Sequence, residues 1–226
     1  MRINKFIASS GLCSRRKADE LIQQNRVELN GKVLTDLSYK VLDSDEIKVD
    51  GKPLEHSKLD YVYYVLNKPM GYECTQDPNC QHKVTDLVPQ DPSVIYVGRL
   101  DKVSEGLLIL TNDGNMSYKL THPKFHKEKE YEVTVDRNIS DFELDKLAKG
   151  VYIDSLRTKP CEVKRISMRK FSIVLTEGRN RQIRKMTRKL NLRVHKLKRV
   201  RVGNLTLGDI LPGEYKKYEN LRDLVY

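Results

Sequence analysis

The chain has 226 residues, which suits one large domain or a small domain joined to a medium one. Hydrophobic residues are 38% of the chain and charged residues 32%, so a packed core is expected beneath a heavily charged surface. Lys and Arg total 42 against 31 acidic residues, giving net +11 and a pI of about 9.4. That balance points to a polyanionic partner, nucleic acid first.

No apolar run approaches the ~18 residues needed to cross a bilayer. The opening MRINKFIASSG lacks the apolar segment and cleavage site of a secretory leader, so the cytosol is the expected compartment. Four cysteines, Cys13, Cys74, Cys80 and Cys161, form no C-x-x-C pair and read as free thiols. Cys74, Cys80 and His82 lack the spacing of a structural zinc site, and no metal is expected.

Residues 1–59 read as a small module. Ile3, Phe6 and Ile7 have helical spacing, and Gly11 breaks the run. Ser14 is placed to cap a second helix carrying Ala18, Leu21 and Ile22. Arg26 to Leu29 and Lys32 to Leu34 flank Asn30-Gly31 as a hairpin, and Ile47 to Val49 runs into Asp50-Gly51. The polar stretch Pro53 to Asp60 is taken as a linker. The first 59 residues carry net +2 and the remaining 167 net +9.

Residues 60–226 are richer in strand signals. Strands are expected at 61–66, 94–97, 106–111, 131–135, 161–166, 171–175 and 200–207, and helices at 141–148 and 182–190. Few connections look like helical crossovers. The fold class is therefore α+β: a helix-helix-strand domain followed by a mixed, mainly antiparallel-sheet domain.

Two segments concentrate positive charge. Arg15, Arg16 and Lys17 open the second helix, where free backbone N–H groups favour phosphate. Arg179 to Arg201 holds eleven Lys or Arg among 23 residues and no acid. In it, Arg181, Arg184, Lys185 and Arg188 share a helical face opposite Ile183, Met186 and Leu190, an arrangement that displays charge to a phosphate backbone.

Asp101 follows an apolar strand in G-R-L-D and precedes a second apolar strand. Taken alone, such an Asp is a turn former. A paired-carboxylate hydrolase would draw on Glu105 and Asp113, and a non-catalytic RNA-binding or assembly factor would need only the basic segments.

The motifs decide among these. R-I-N-K-F-I-A-S-S-G-L-C-S-R-R-K-A-D-E-L-I followed by R-V-E-L-N-G-K resembles the RNA-binding module of ribosomal protein S-four, over nearly all of residues 1–50. That resemblance makes Arg2, Lys5, Ser14, Arg15, Arg16, Lys17 and Arg26 candidate RNA contacts. G-R-L-D-x-x-S-E-G-L-L-I-L-T-N-D-G resembles the catalytic segment of pseudouridine synthases of the RsuA/RluB/RluE/RluF family, which modify single rRNA uridines. L-N-K-P-M-G-Y at 66–72, K-E-Y-E-V at 129–133 and E-G-R-N-R-Q-I-R-K-M at 177–186 are similar to that family's other motifs, in order. The sequence departs from relatives at Val103, where a polar residue is common.

The resemblance implies conversion of a specific uridine to pseudouridine by base flipping, without cofactor. It makes Asp101 the catalytic carboxylate, either adding to the ribose anomeric carbon or taking a sugar proton to give a glycal. Arg184 would pair with and orient it, and Tyr131 would stack on the target base. Arg99 would fill the space left by the flipped base. Lys68, Arg179, Arg181, Lys185 and Arg188 are further candidate RNA contacts. Leu107 and Leu108 read as core. The expected partner is ribosomal RNA or a ribosome-assembly intermediate, with the protein a monomer.

Overall fold

The computed structural model describes residues 1–54, 60–90 and 92–221. Residues 55–59 of the expected linker lie outside the described residues. The chain divides into two compact units, Met1–Tyr61 and Val62–Tyr226.

In the first unit, α1 (Ile3–Ser9) and α2 (Arg15–Gln23) precede β1 (Val27–Leu29), β2 (Lys32–Val33), β3 (Ile47–Val49) and β4 (Lys52–Pro53). Ser14 caps α2, its hydroxyl oxygen accepting from Lys17 N–H at 3.2 Å. The strands form an antiparallel sheet in the order β2-β1-β3-β4. Asn30-Gly31 and Asp50-Gly51 have positive φ at both positions, as a two-residue hairpin turn of matching twist requires. Ile3, Ile7, Ala18, Leu21, Ile22 and Val27 close a small core of their own.

The second unit runs β5 (Tyr63–Lys68), β6 (Ile95–Val97), β7 (Glu105–Thr111), α3 (Gly114–Thr121), β8 (Lys129–Val135), α4 (Asp141–Lys149), β9 (Tyr152–Ile153), β10 (Leu156–Arg157), β11 (Glu162–Ser167), β12 (Lys170–Leu175), α5 (Gln182–Arg188), β13 (Val194–Val202), β14 (Leu205–Thr206) and β15 (Tyr215–Tyr218). The main sheet has the order β11-β12-β8-β13-β7-β5-β15, with β6 beside β7 and β14 beside β13. β13–β7 is its parallel pair, and the other pairings are antiparallel.

The apolar runs of β5 and β7 are continuous because both faces are covered. Tyr63, Val65, Leu107 and Ile109 pack with α3 through Met116 and Leu120. Tyr64, Leu66, Leu108 and Leu110 pack on the other side with Val84, Val88, Val94 and Leu100. Across the sheet, β8, β12 and β13 bury Val133, Phe171, Ile173 and Leu197 against α4 and α5.

Several elements depart from expectation: β9, β10 and β15 are not among the expected strands, and two further departures have a local cause. Residues 114–121 form α3, a helix not among the expected elements because Asn112-Asp113-Gly114 has the composition of a turn: Asp113 caps the helix by accepting from Asn115 and Met116 N–H, both at 3.0 Å. The single strand expected at 200–207 is a hairpin, with β13 beginning at Val194. Register shifts at Val194/Lys196 and Arg199/Arg201 break the two-residue period that would have shown a nine-residue strand.

β7 and β13 meet closely at Gly106, whose φ is +105°. A Cβ there would lie 2.2 Å from the Arg199 carbonyl oxygen and 2.6 Å from its nitrogen. Gly106→Ala is therefore expected to destabilise the protein by about 3 kcal/mol or more, combining backbone strain with overpacking. Urea unfolding of the purified variant measures this.

A second expectation concerns pH. Glu143 accepts from Ser140 N–H and from Arg137 Nη2, and these bonds, Arg137 first, hold its carboxyl down at about 2. A depressed carboxylate contributes stability that is fully present above its open-chain value of 4.5 and is lost as pH falls through the folded value. Glu143→Gln should cost about 1 kcal/mol at neutral pH. It should also flatten the part of the acid denaturation curve that lies between the two values.

Candidate active site

The second unit holds a cleft of about 510 Å³ whose lining includes Arg99, Asp101, Lys129, Tyr131, Arg181 and Arg199. It opens where the two halves of the main sheet join. Tyr131 touches the hydrophobic clusters of both halves.

Asp101 stands on the connection from β6 to β7, and that connection is tied down along its length. Gly98 has φ +70° and turns the chain out of β6. Leu100 is buried, and its N–H reaches Cys74 Sγ at 3.5 Å. Ser104 N–H donates to the Asp101 carbonyl at 2.9 Å, closing a turn around Lys102 and Val103. Gly71 N–H donates to Lys102 O at 2.8 Å, and Lys102 pairs with Glu73 at 2.9 Å. Val103 is exposed.

Lys68 is buried beneath this turn. Its ammonium donates to Ser104 O at 2.7 Å, Pro69 O at 2.9 Å and Lys102 O at 3.4 Å. The expectation that Lys68 contacts RNA is corrected: the residue is fully buried, and its ammonium is spent on two carbonyls of the Asp101 turn and on Pro69 O. Burial pulls its pKa below the usual lysine value.

Two guanidinium groups face Asp101. Arg181 Nη1 lies 3.3 Å from Asp101 Oδ2 and Arg184 Nε 4.0 Å from the same oxygen. Arg181 holds a left-handed backbone at the start of α5, φ 51°, which is uncommon without glycine. Arg184 is the more buried of the two. Its Nη2 donates to Val103 O at 3.0 Å and Ser104 Oγ at 3.3 Å, and its Nη1 to Val194 O at 3.3 Å. Burial, and next the charge of Arg181, draw its pKa down, while Asp101 acts the other way. Arg184 thus spans the Asp101 turn and the start of β13.

The remaining basic candidates divide sharply. Arg179 donates to Leu156 O at 3.2 Å and Arg157 O at 2.8 Å, so it braces β10. Lys185 is paired with Asp154. Arg26 closes a two-pronged bond on Asp50, at 2.6 and 2.7 Å. At these three an internal acceptor shares the charged head, part of which stays in solvent. Ser14 is spent as a helix cap, and Lys17 pairs with Glu20 at 2.9 Å on an exposed face. Arg2 donates to Leu37 O at 3.2 Å, and Lys5 is half-buried. Arg15, Arg16, Arg99 and Arg188 remain exposed.

The paired carboxylates of a hydrolase are not available. Asp113 is buried as the α3 cap and accepts from Tyr63 OH at 3.0 Å. Glu105 pairs with Lys196 at 3.0 Å.

Three cleft residues escaped the sequence reading. Ser104 is buried and accepts from Arg184. Arg199 is buried, its Nε donating to Leu107 O at 2.7 Å across the β7–β13 junction. Lys129 lies two residues before Tyr131 on the same face of β8, its Nζ donating to Lys127 O at 3.0 Å. Burial, with Arg199 beside it, lowers its pKa. The signal for Lys129 was present in K-E-Y, where period two puts first and third residues on one face.

Residues 62–189 match the sequence model of the RNA pseudouridylate synthase family, and residues 1–47 that of the S4 domain. The chain belongs to the RNA pseudouridylate synthase family. It is 41% identical over 217 residues to the dual-specificity RNA pseudouridine synthase RluF of Escherichia coli O6:H1 strain CFT073, covering 96% of this chain and 74% of that one. It is 39% identical over 238 residues to the ribosomal large subunit pseudouridine synthase B of Bacillus subtilis strain 168, covering 98% and 97%. A crystal structure of a pseudouridylate synthase superposes with a TM-score of 0.71 at 29% identity, covering 96% of each chain. The chain is therefore a pseudouridine synthase with an N-terminal S4 domain, and its fold is the α+β arrangement of that family.

The burial of Lys68 yields a direct test. Lys68→Met removes the ammonium bonds to Ser104 O and Pro69 O, leaves Lys102 O to Gly71 N–H, and should cost about 2 kcal/mol. It should lower the turnover rate while leaving RNA affinity within about twofold, since no phosphate contact is lost. A fall in affinity without a fall in melting temperature would reinstate Lys68 as an RNA ligand.

Proposed function

We propose that this pseudouridine synthase isomerises one specific uridine of ribosomal RNA, with Asp101 as the reacting carboxylate. The observation that carries the reading is Asp101 on a rigid turn at the edge of the cleft, faced by Arg181 and Arg184 and sharing the cleft with Tyr131. The relatives named for ribosomal and dual-specificity RNA modification support the substrate class.

Pseudouridine formation breaks the C1′–N1 bond, turns the uracil and joins C5 to C1′. The proton lost from C5 is balanced by one gained at N1, so the net change is an isomerisation and needs no redox partner. Asp101 serves it by adding to C1′ or by removing the C2′ proton. Arg184, braced by Ser104, Val103 and Val194, holds the carboxylate's direction. Tyr131 stacks on the uracil. The target leaves the helix to reach this depth, because the glycosidic bond inside a stack is out of reach. Arg99, exposed at the cleft edge, takes the vacated space. The S4 domain holds structured RNA through Arg15 and Arg16, and no cofactor takes part.

The test is a pseudouridine map of both rRNAs by carbodiimide-dependent reverse-transcription stops in a deletion strain. One stop should vanish, return with the wild-type gene and stay absent with Asp101→Ala, while the purified variant keeps its RNA affinity. An unchanged map of both rRNAs would sink the substrate assignment.

The two arginines should separate. Arg184→Ala removes a group tied to the turn and should lower kcat about a hundredfold or more, on the scale of lost positioning. Arg181→Ala, at an exposed site, should act less on kcat and more on KM. Single-turnover kinetics distinguish the two.

A further inference from the structure

The chain leaving α3 carries aromatic rings and positive charge that the isomerisation does not use. Tyr118, near the end of α3, is 47% exposed. Its ring centroid lies 4.8 Å from that of His122 and 5.8 Å from that of Phe125, the latter edge-on. The Lys124 ammonium sits over both Tyr118 and Phe125, 5.3 and 4.8 Å from their centres. Exposed aromatic rings are not needed to close α3, whose buried side is Met116 and Leu120.

This cluster is rigid and borders the cleft. Residues Pro123–Phe125 form a single 3-10 turn, with Pro123 fixing the backbone at its first position. His122 caps it, Nδ1 accepting from Lys124 N–H at 3.3 Å, and His126 ends it in a left-handed conformation. His122, Pro123 and His126 line the same cleft as Asp101. A preformed cluster of rings loses little freedom on binding.

We propose that the Tyr118–His122–Phe125 cluster is a stacking site for an unpaired base of the RNA that occupies the cleft, with Lys124 following its phosphate. The chemistry fits a nucleotide better than a protein or a lipid surface. Every base offers a π-face to such rings, and the basic residues around them, Lys119 and Lys124, match a strand's backbone charge. The site is continuous with the cleft that receives the target uridine, so a strand entering the cleft passes it. The inference rests on the cleft being the uridine site, and the test separates the two.

Full-length protein would be titrated by fluorescence anisotropy with labelled decauridylate, and by competition with inorganic polyphosphate, which carries charge but no bases. Tyr118→Ala and Tyr118→Leu should each weaken decauridylate binding about tenfold, as for loss of one stacked base, and leave polyphosphate unchanged. Tyr118→Trp should restore affinity, which excludes a folding defect. Lys124→Ala should reduce the salt dependence of decauridylate binding by about one charge, whereas the Tyr118 variants keep its slope. The proposal is overturned if Tyr118→Leu binds decauridylate like wild type, or if both ligands weaken in equal proportion. Loss of base binding in the Tyr118 variants, alongside rRNA pseudouridines that survive Asp101→Ala, would discard Asp101 as the reacting carboxylate and leave the stacking site standing.

Discussion

The site depends on one close approach of two backbones. Gly106 and Arg199 pair in parallel where β7 meets β13, and this joins a half-sheet built on β5 and β7 to one built on β8 and β12. The contact leaves no room for a side chain at Gly106. Arg199 then reaches back across the same junction to Leu107 O. Asp101 lies on the turn into β7, Arg184 on α5 with a bond to Val194 O at the start of β13, and Tyr131 on β8 directly beside Arg199. Each belongs to an element next to the junction, so the three groups converge only while those strands are held together.

Positive charge in this protein has two occupations that composition cannot separate. Lys68, Arg179, Arg184 and Arg199 spend their donors on backbone carbonyls. Buried carbonyls at turns need donors, and long cationic side chains can span from one turn to another. Such a group costs desolvation, yet removing it leaves acceptors unanswered, which costs more. Within the basic run 179–201, Arg179 braces β10, Arg184 the Asp101 turn and Arg199 the β7–β13 junction. Arg15, Arg16, Arg99 and Arg188 are among the exposed charges that can meet phosphate.

Much of the fold was legible because its signals are local. The continuous apolar runs at 61–66 and 106–111 mark strands covered on both faces, and the Asn-Gly and Asp-Gly pairs mark hairpin turns. Ser14 was legible as a cap from its place before a helical stripe. What escaped was α3, hidden behind an Asn-Asp-Gly that reads as a turn, and the first half of β13, where bulges disrupt the alternation. The catalytic candidates Asp101, Tyr131 and Arg184 came from motif resemblance, since an Asp after a strand has no distinctive local pattern.

Sequence by itself determined the two-part α+β organisation, the family, and the residues from which a site is drawn. All of these follow from periodicity, turn chemistry and motif, which are properties of neighbours along the chain. Only the tertiary structure decided which cations face Asp101, that Lys68 is buried under its turn, and that the rings at 118–125 border the cleft. Those facts concern residues as many as 92 positions apart, as in the Arg199–Leu107 bond. Whether a charged head meets solvent or a carbonyl is set by what the fold packs against it, and no local pattern records that.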